Sequence, residues 1–131
     1  MYKRIMLAYD GSEPADRALE ECLRVAKHAG SSVSLLYVLT PHHLIVGGGR
    51  VVPGLAQLER QHAEALRQQA REMLDGAQTR LRTCGVECTV ALEEGLDPYQ
   101  RIVDCAQRLE CDLIVMGSHG RGLFESIGDR L

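Results

Sequence analysis

Four short apolar runs, Arg4 to Tyr9, Ser32 to Leu39, Glu87 to Leu92 and Cys111 to Met116, alternate with stretches whose apolar residues recur every three or four positions. A strand covered on both faces is apolar at nearly every position, whereas a helix lying on a sheet is apolar along one stripe. Alternation of the two leaves few solutions, chiefly parallel strands joined by crossover helices. The expected architecture is α/β, a Rossmann-like three-layer sandwich with a mostly parallel sheet, in one domain over residues 1–131.

The helices are bounded by recognisable chemistry. Ser12 is placed to cap the first helix and Pro14 to sit in its first turn; Ala15, Ala18, Leu19, Cys22, Leu23 and Ala26 form its inner stripe, and Gly30 ends it. A long helix is predicted from Leu55 to Thr83, with Leu55, Leu58, Leu66, Ala70, Met73, Leu74, Ala77 and Leu81 inward and Gly85 as its stop. Gly95-Leu96-Asp97-Pro98 opens a third helix with Tyr99, Ile102, Val103, Ala106 and Leu109 inward. Residues Phe124 to Leu131 are expected to begin another helix, with no fifth strand after it. The stretch from Thr40 to Gly54 is irregular, and its Gly47-Gly48-Gly49 run is read as a connector over the cleft.

Composition excludes several functions. The net charge of -3 and the absence of a basic cluster argue against a nucleic-acid partner. No run is long enough for a membrane span, and the N-terminus turns polar too soon for a signal peptide, so a cytoplasmic protein is expected. Cys22, Cys84, Cys88, Cys105 and Cys111 are odd in number and contain no CxxC pair, which suits buried thiols. His42-His43 and Cys84 with Cys88 do not supply the three or four ligands of a zinc site. Ser12, Ser118 and Ser126 lack a GxSxG context. Asp10 as a phospho-acceptor would need neighbouring acids and a later lysine, yet no lysine follows Lys27.

In an open parallel sheet, ligands bind beyond the carboxyl ends of the strands, near the switch in strand order. Three segments converge there: Asp10-Gly11-Ser12, the end of the second strand at Val38, and Gly117-Ser118-His119-Gly120-Arg121-Gly122. Glycines between a strand and a helix let backbone N–H groups approach an anion. Neither GxxxxGK[ST] nor GxGxxG after the first strand is present.

The segments YKRIMLAYDGSEPADRAL, LLYVL, EEGLDPYQRIVDCA and CDLIVMGSHGRG, in that order, resemble the universal stress protein family over nearly the whole chain. The resemblance implies a Rossmann-like fold, a homodimer, and membership in an ATP-binding or a non-binding group. Carried over from the binding group, Asp10 and Val38 contact adenine or ribose. Gly117, Ser118, His119 and Gly120 shape a phosphate pocket that Arg121 and Ser126 assist, with Gly11, Ser12, Met116 and Gly122 around them. Magnesium would accompany the phosphates. On this reading Gly117→Val abolishes binding by filling the space the phosphate approaches.

The family's G-x2-G-x9-G-[S/T] pattern is not kept, because the ungapped register ends on Arg130 and Leu131. A gapped register retains Ser126 but puts Glu125 where the family has glycine and shortens the loop by five residues. A carboxylate beside a triphosphate repels it, so AMP or ADP suits this chain better. Related chains also continue into a final strand of the dimer interface, which is expected to be missing here. The resulting expectation is a stress-response module that binds ATP or another adenine nucleotide, with at most weak ATP hydrolysis. Its alternative is a dimeric interaction protein of the same fold that binds no nucleotide.

Overall fold

Among the described residues, five strands and three helices follow the order β1 (Arg4–Ala8), α1 (Glu13–Ala29), β2 (Ser32–Leu39), α2 (Leu55–Thr83), β3 (Cys88–Glu94), α3 (Pro98–Arg108), β4 (Leu113–Met116) and β5 (Phe124–Ser126). The computed structural model describes residues 2–40, 53–117 and, as backbone, 124–126. The sheet order is β3-β2-β1-β4-β5. β1 pairs in parallel with β2 on one side and β4 on the other, so the chain reverses direction across the sheet between β3 and β4.

Alternation along the strands divides the core into two layers. Ile5, Leu7, Val33, Leu35, Leu113 and Val115 face α1 and α2. Met6, Leu36, Val38 and Ile114 face α3, where Ile102, Cys105 and Ala106 meet them. Ile5, Met6 and Leu7 have no exposed surface at all, which explains why β1 tolerates no polar residue between them. The three-layer α/β sandwich expected from the alternation is the observed one.

Helix α1 begins with Ser12, whose Oγ accepts from the Ala15 N–H at 3.2 Å, and ends at Gly30 in the left-handed region. In α3 the Asp97 side chain accepts from the Gln100 N–H at 3.2 Å, and Pro98 occupies the first turn. Both starts combine a short polar cap with proline, the arrangement that satisfies an orphan N–H without needing one from the ring.

Four expectations are corrected. Phe124–Ser126 is a strand, not a helix start, and runs antiparallel to β4 with Phe124 opposite Val115 and Ser126 opposite Leu113. On α2, Leu58 is 54% exposed and the buried stripe begins at Ala63, because the first turns of this long helix lie beyond the core. On α3, Tyr99 and Leu109 stand 38% and 39% exposed while Cys105 takes the inward position between them. β4 starts at Leu113, since the Cys111 N–H closes the end of α3 by donating to the Ala106 carbonyl at 2.8 Å. The Gly47-Gly48-Gly49 connector and His42-His43 lie outside the described residues.

All five cysteines are free; four are buried and Cys84 is half-buried. Burial pushes the Cys22 thiol up to about 12 and those of Cys88 and Cys111 up to about 11, and it raises Cys105 as well. Iodoacetamide at about pH 8 is therefore expected to alkylate Cys84 first in the folded protein, the others following only on unfolding. Peptide mass spectrometry reads the order, and equal early labelling of Cys22 would contradict the packing described.

Candidate functional site

The carboxyl ends of β1, β2 and β4 and the first turns of α3 enclose a cleft of about 320 Å³. Its floor is the α3 face of the sheet, with Ala8, Leu36, Val38 and Met116, and its wall is Pro98 and Ile102. Asp10, Tyr9, Tyr37 and the buried Thr40 add polar groups to the lining. The Gly95 N–H donates to the Leu39 carbonyl at 3.1 Å, which ties the turn before Pro98 to the end of β2 and sets the width of the cleft. An apolar slot with a few polar groups in its lining suits a flat, partly aromatic ligand carrying hydroxyls.

The loop after β1 is held by three successive links. The Tyr9 hydroxyl donates to Asp16 Oδ1 at 2.5 Å, the Ser12 N–H donates to Asp10 Oδ1 at 3.0 Å, and the Ala15 N–H donates to Ser12 Oγ at 3.2 Å. Gly11 adopts φ +77°, and a Cβ there would lie 2.7 Å from Met73 Sδ of α2. Only glycine combines that backbone with that approach. Burial, the Asp16 hydrogen bond, and the charges of Asp16 and Asp10 push the Tyr9 phenol up to about 12. Tyr37 is raised by burial first and then by the Asp10 charge, so its phenol lies within the field of the same carboxylate.

Gly117 is one of the expected phosphate residues, but the space beside its Cα is filled by protein. A Cβ there would lie 2.4 Å from the Pro14 carbonyl carbon, 2.5 Å from its oxygen and 2.7 Å from the Ala15 nitrogen. The glycine lets β4 run onto the first turn of α1. Gly117→Val would consequently displace that turn, not fill a phosphate channel, and it is no clean test of binding.

The structure brings Asp10, Val38, Met116 and Gly117 to one cleft and places Gly11 and Ser12 in the loop beside it. Ser118, His119, Gly120, Arg121 and Gly122 lie outside the described residues. Ser126 is not brought to the cleft: its backbone pairs opposite Leu113, the first residue of β4, three positions before Met116. Sequence reading missed the other lining residues, among them Tyr9, Tyr37, Thr40, Pro98 and Ile102. Thr40 continues the i, i+2 series of Leu36 and Val38, and Ile102 lies four positions after Pro98 on one helix face.

The universal stress protein family model matches residues 1–129. The chain belongs to the universal stress protein family. A family member of Methanocaldococcus jannaschii is 28% identical over 127 residues, covering 97% of this chain and 71% of that protein. A family structure from Burkholderia pseudomallei has a TM-score of 0.74 at 29% identity, covering 98% of this chain and 86% of the other. A family protein from Arabidopsis thaliana, solved with AMP bound, has a TM-score of 0.63 at 23% identity and shares the fold, covering 92% of this chain and 79% of that one.

Two outcomes are expected from the site's packing. Gly117→Ala should lower stability by roughly 1–3 kcal/mol by forcing β4 off α1, read as an earlier urea midpoint with unchanged slope. Tyr9 holds its proton to about 12 in the folded state against an ordinary value of 10.0, so its contribution is complete below pH 10 and is lost as pH rises toward 12. Stability measured between these pH values should fall more steeply in the wild type than in Tyr9→Phe.

Proposed function

We infer that this chain is a cytoplasmic stress-response module that binds an adenine nucleotide in the cleft at the carboxyl ends of β1, β2 and β4, and that occupancy changes which partner it engages. The observation that carries this reading is the cleft itself: an apolar slot at the switch in strand order, with a single carboxylate, Asp10, at its edge. Adenine fits the slot between Val38 and Ile102, and Asp10 is placed to accept from a ribose hydroxyl. The AMP-bound family protein from Arabidopsis thaliana supports the choice of ligand class.

Phosphates would leave the cleft toward residues 118–122, the remaining part of the expected pocket, with magnesium beside them in the case of ATP. Ser126 has no part in this arrangement, given its register opposite Leu113. A second reading, a dimeric interaction protein of the same fold that binds no nucleotide, is favoured by Glu125 in place of the family glycine and by the shortened loop.

The readings separate on two measurements: chromatography of small molecules released on denaturation, and calorimetric titration with ATP, ADP and AMP. The nucleotide reading expects AMP or ADP to bind at least as tightly as ATP, and Val38→Trp, which fills the slot, to remove binding while the fold persists. No released nucleotide and no heat at about millimolar ligand, where binding energy would fall below roughly 4 kcal/mol, would sink it in favour of the second reading.

A further inference from the structure

Asp10 is an exposed carboxylate on a turn, and such a group is ordinarily free to move. Here one of its oxygens is engaged by the Ser12 N–H at 3.0 Å, and no other protein partner meets it among the described residues. The residue before it is fixed from two sides. The Tyr9 N–H donates to the Leu36 carbonyl at 2.8 Å, which continues the β1–β2 ladder, and the Tyr9 hydroxyl reaches Asp16 Oδ1 at 2.5 Å. Tyr9 is 8% exposed, so its ring is clamped by the core as well. The residue after Asp10 is held by Met73 over Gly11.

The hydroxyl of Tyr9 therefore bridges the end of β1 to the first turn of α1, across the turn that carries Asp10. Ser12 bridges the same two elements from the other side, since its N–H holds Asp10 and its Oγ caps Ala15. Asp10 is the one residue of this loop whose side chain both faces the cleft and keeps an oxygen without a protein partner among the described residues.

We propose that Tyr9 and Asp16 are positioning residues for Asp10, and that their hydrogen bond makes the cleft select ligands carrying a ribose diol over the bare base. The inference rests on the adenine-nucleotide reading. A base in the apolar slot needs no carboxylate, whereas a sugar hydroxyl gains from Asp10 only if the oxygen is held within hydrogen-bond reach before the ligand arrives. Asp16 is not part of the cleft lining, and Tyr9, which does line it, commits its hydroxyl proton to Asp16; both act on Asp10 through the backbone on either side of it.

The test titrates adenosine and adenine separately into the wild type, Tyr9→Phe, Asp16→Ala, Asp16→Asn and Asp10→Asn, with the Ser12 amide followed by hydrogen exchange. Tyr9→Phe and Asp16→Ala are expected to weaken adenosine by about five- to tenfold, the equivalent of one charge-assisted hydrogen bond, and adenine by less than about twofold. Asp16→Asn, which keeps an acceptor oxygen, should retain adenosine binding. In the Asp10→Asn background, Tyr9→Phe should have no further effect on adenosine. Equal losses for base and nucleoside, or losses that add to that of Asp10→Asn, would overturn the proposal. Exchange of the Ser12 amide needs no ligand and should quicken in Tyr9→Phe; an unchanged rate also overturns it. A wild type that binds neither compound overturns the nucleotide reading and the selectivity with it, and the exchange rate then reports on the loop linkage alone.

Discussion

The end of β4 lies so close to the first turn of α1 that the Cβ position of Gly117 falls 2.4 Å from the Pro14 carbonyl carbon. Two elements far apart in sequence thus meet backbone to backbone at this point, beyond the side-chain packing of Leu113 and Val115 on α1. The Asp10 turn, which leads from β1 into the same first turn of α1, lines one cleft with Gly117. The opposite wall forms on the α3 side, where α3 is the one helix on that face among the described residues. A side chain at residue 117 would change all of these at once.

Most of the frame was legible because it rests on periodicity. β2 was readable from Ser32 to Leu39 and α2 from Leu55 to Thr83, since long regular patterns closed by Gly30 and Gly85 leave little choice of boundary. The misreadings fall where periodicity is too short or ambiguous. Phe124–Ser126 is three residues long, and no period exists in three residues. On α3 the inward stripe is Ile102, Cys105 and Ala106, while Tyr99 and Leu109 at the two ends of the helix stand at its rim.

The candidate site was legible in its residues and illegible in their roles. Asp10, Val38 and Gly117 do meet at one end of the sheet, as a parallel α/β order requires. Gly117, however, serves close packing between strand and helix, a use that looks identical in sequence to a close approach by phosphate. Tyr9 read as the last apolar residue of a strand. Its hydroxyl partner lies seven residues on, a separation set by the turn and not by any helical or strand repeat.

The same contacts bear on where a charged ligand tail can go. In many nucleotide folds the N-terminus of the first helix receives the phosphate, because its free N–H groups and partial positive charge are available. In this chain the Ala15 N–H is taken by Ser12, the Pro14 and Ala15 backbone is covered by Gly117, and Glu13 and Asp16 occupy the first turn with Asp10 just before it. Those carboxylates complement the helix dipole and oppose an incoming anion. The first turn of α1 is accordingly spent on holding the loop together. An anion at this turn would meet Asp10 and Asp16, whereas Glu13 is paired with Arg17 at 2.7 Å.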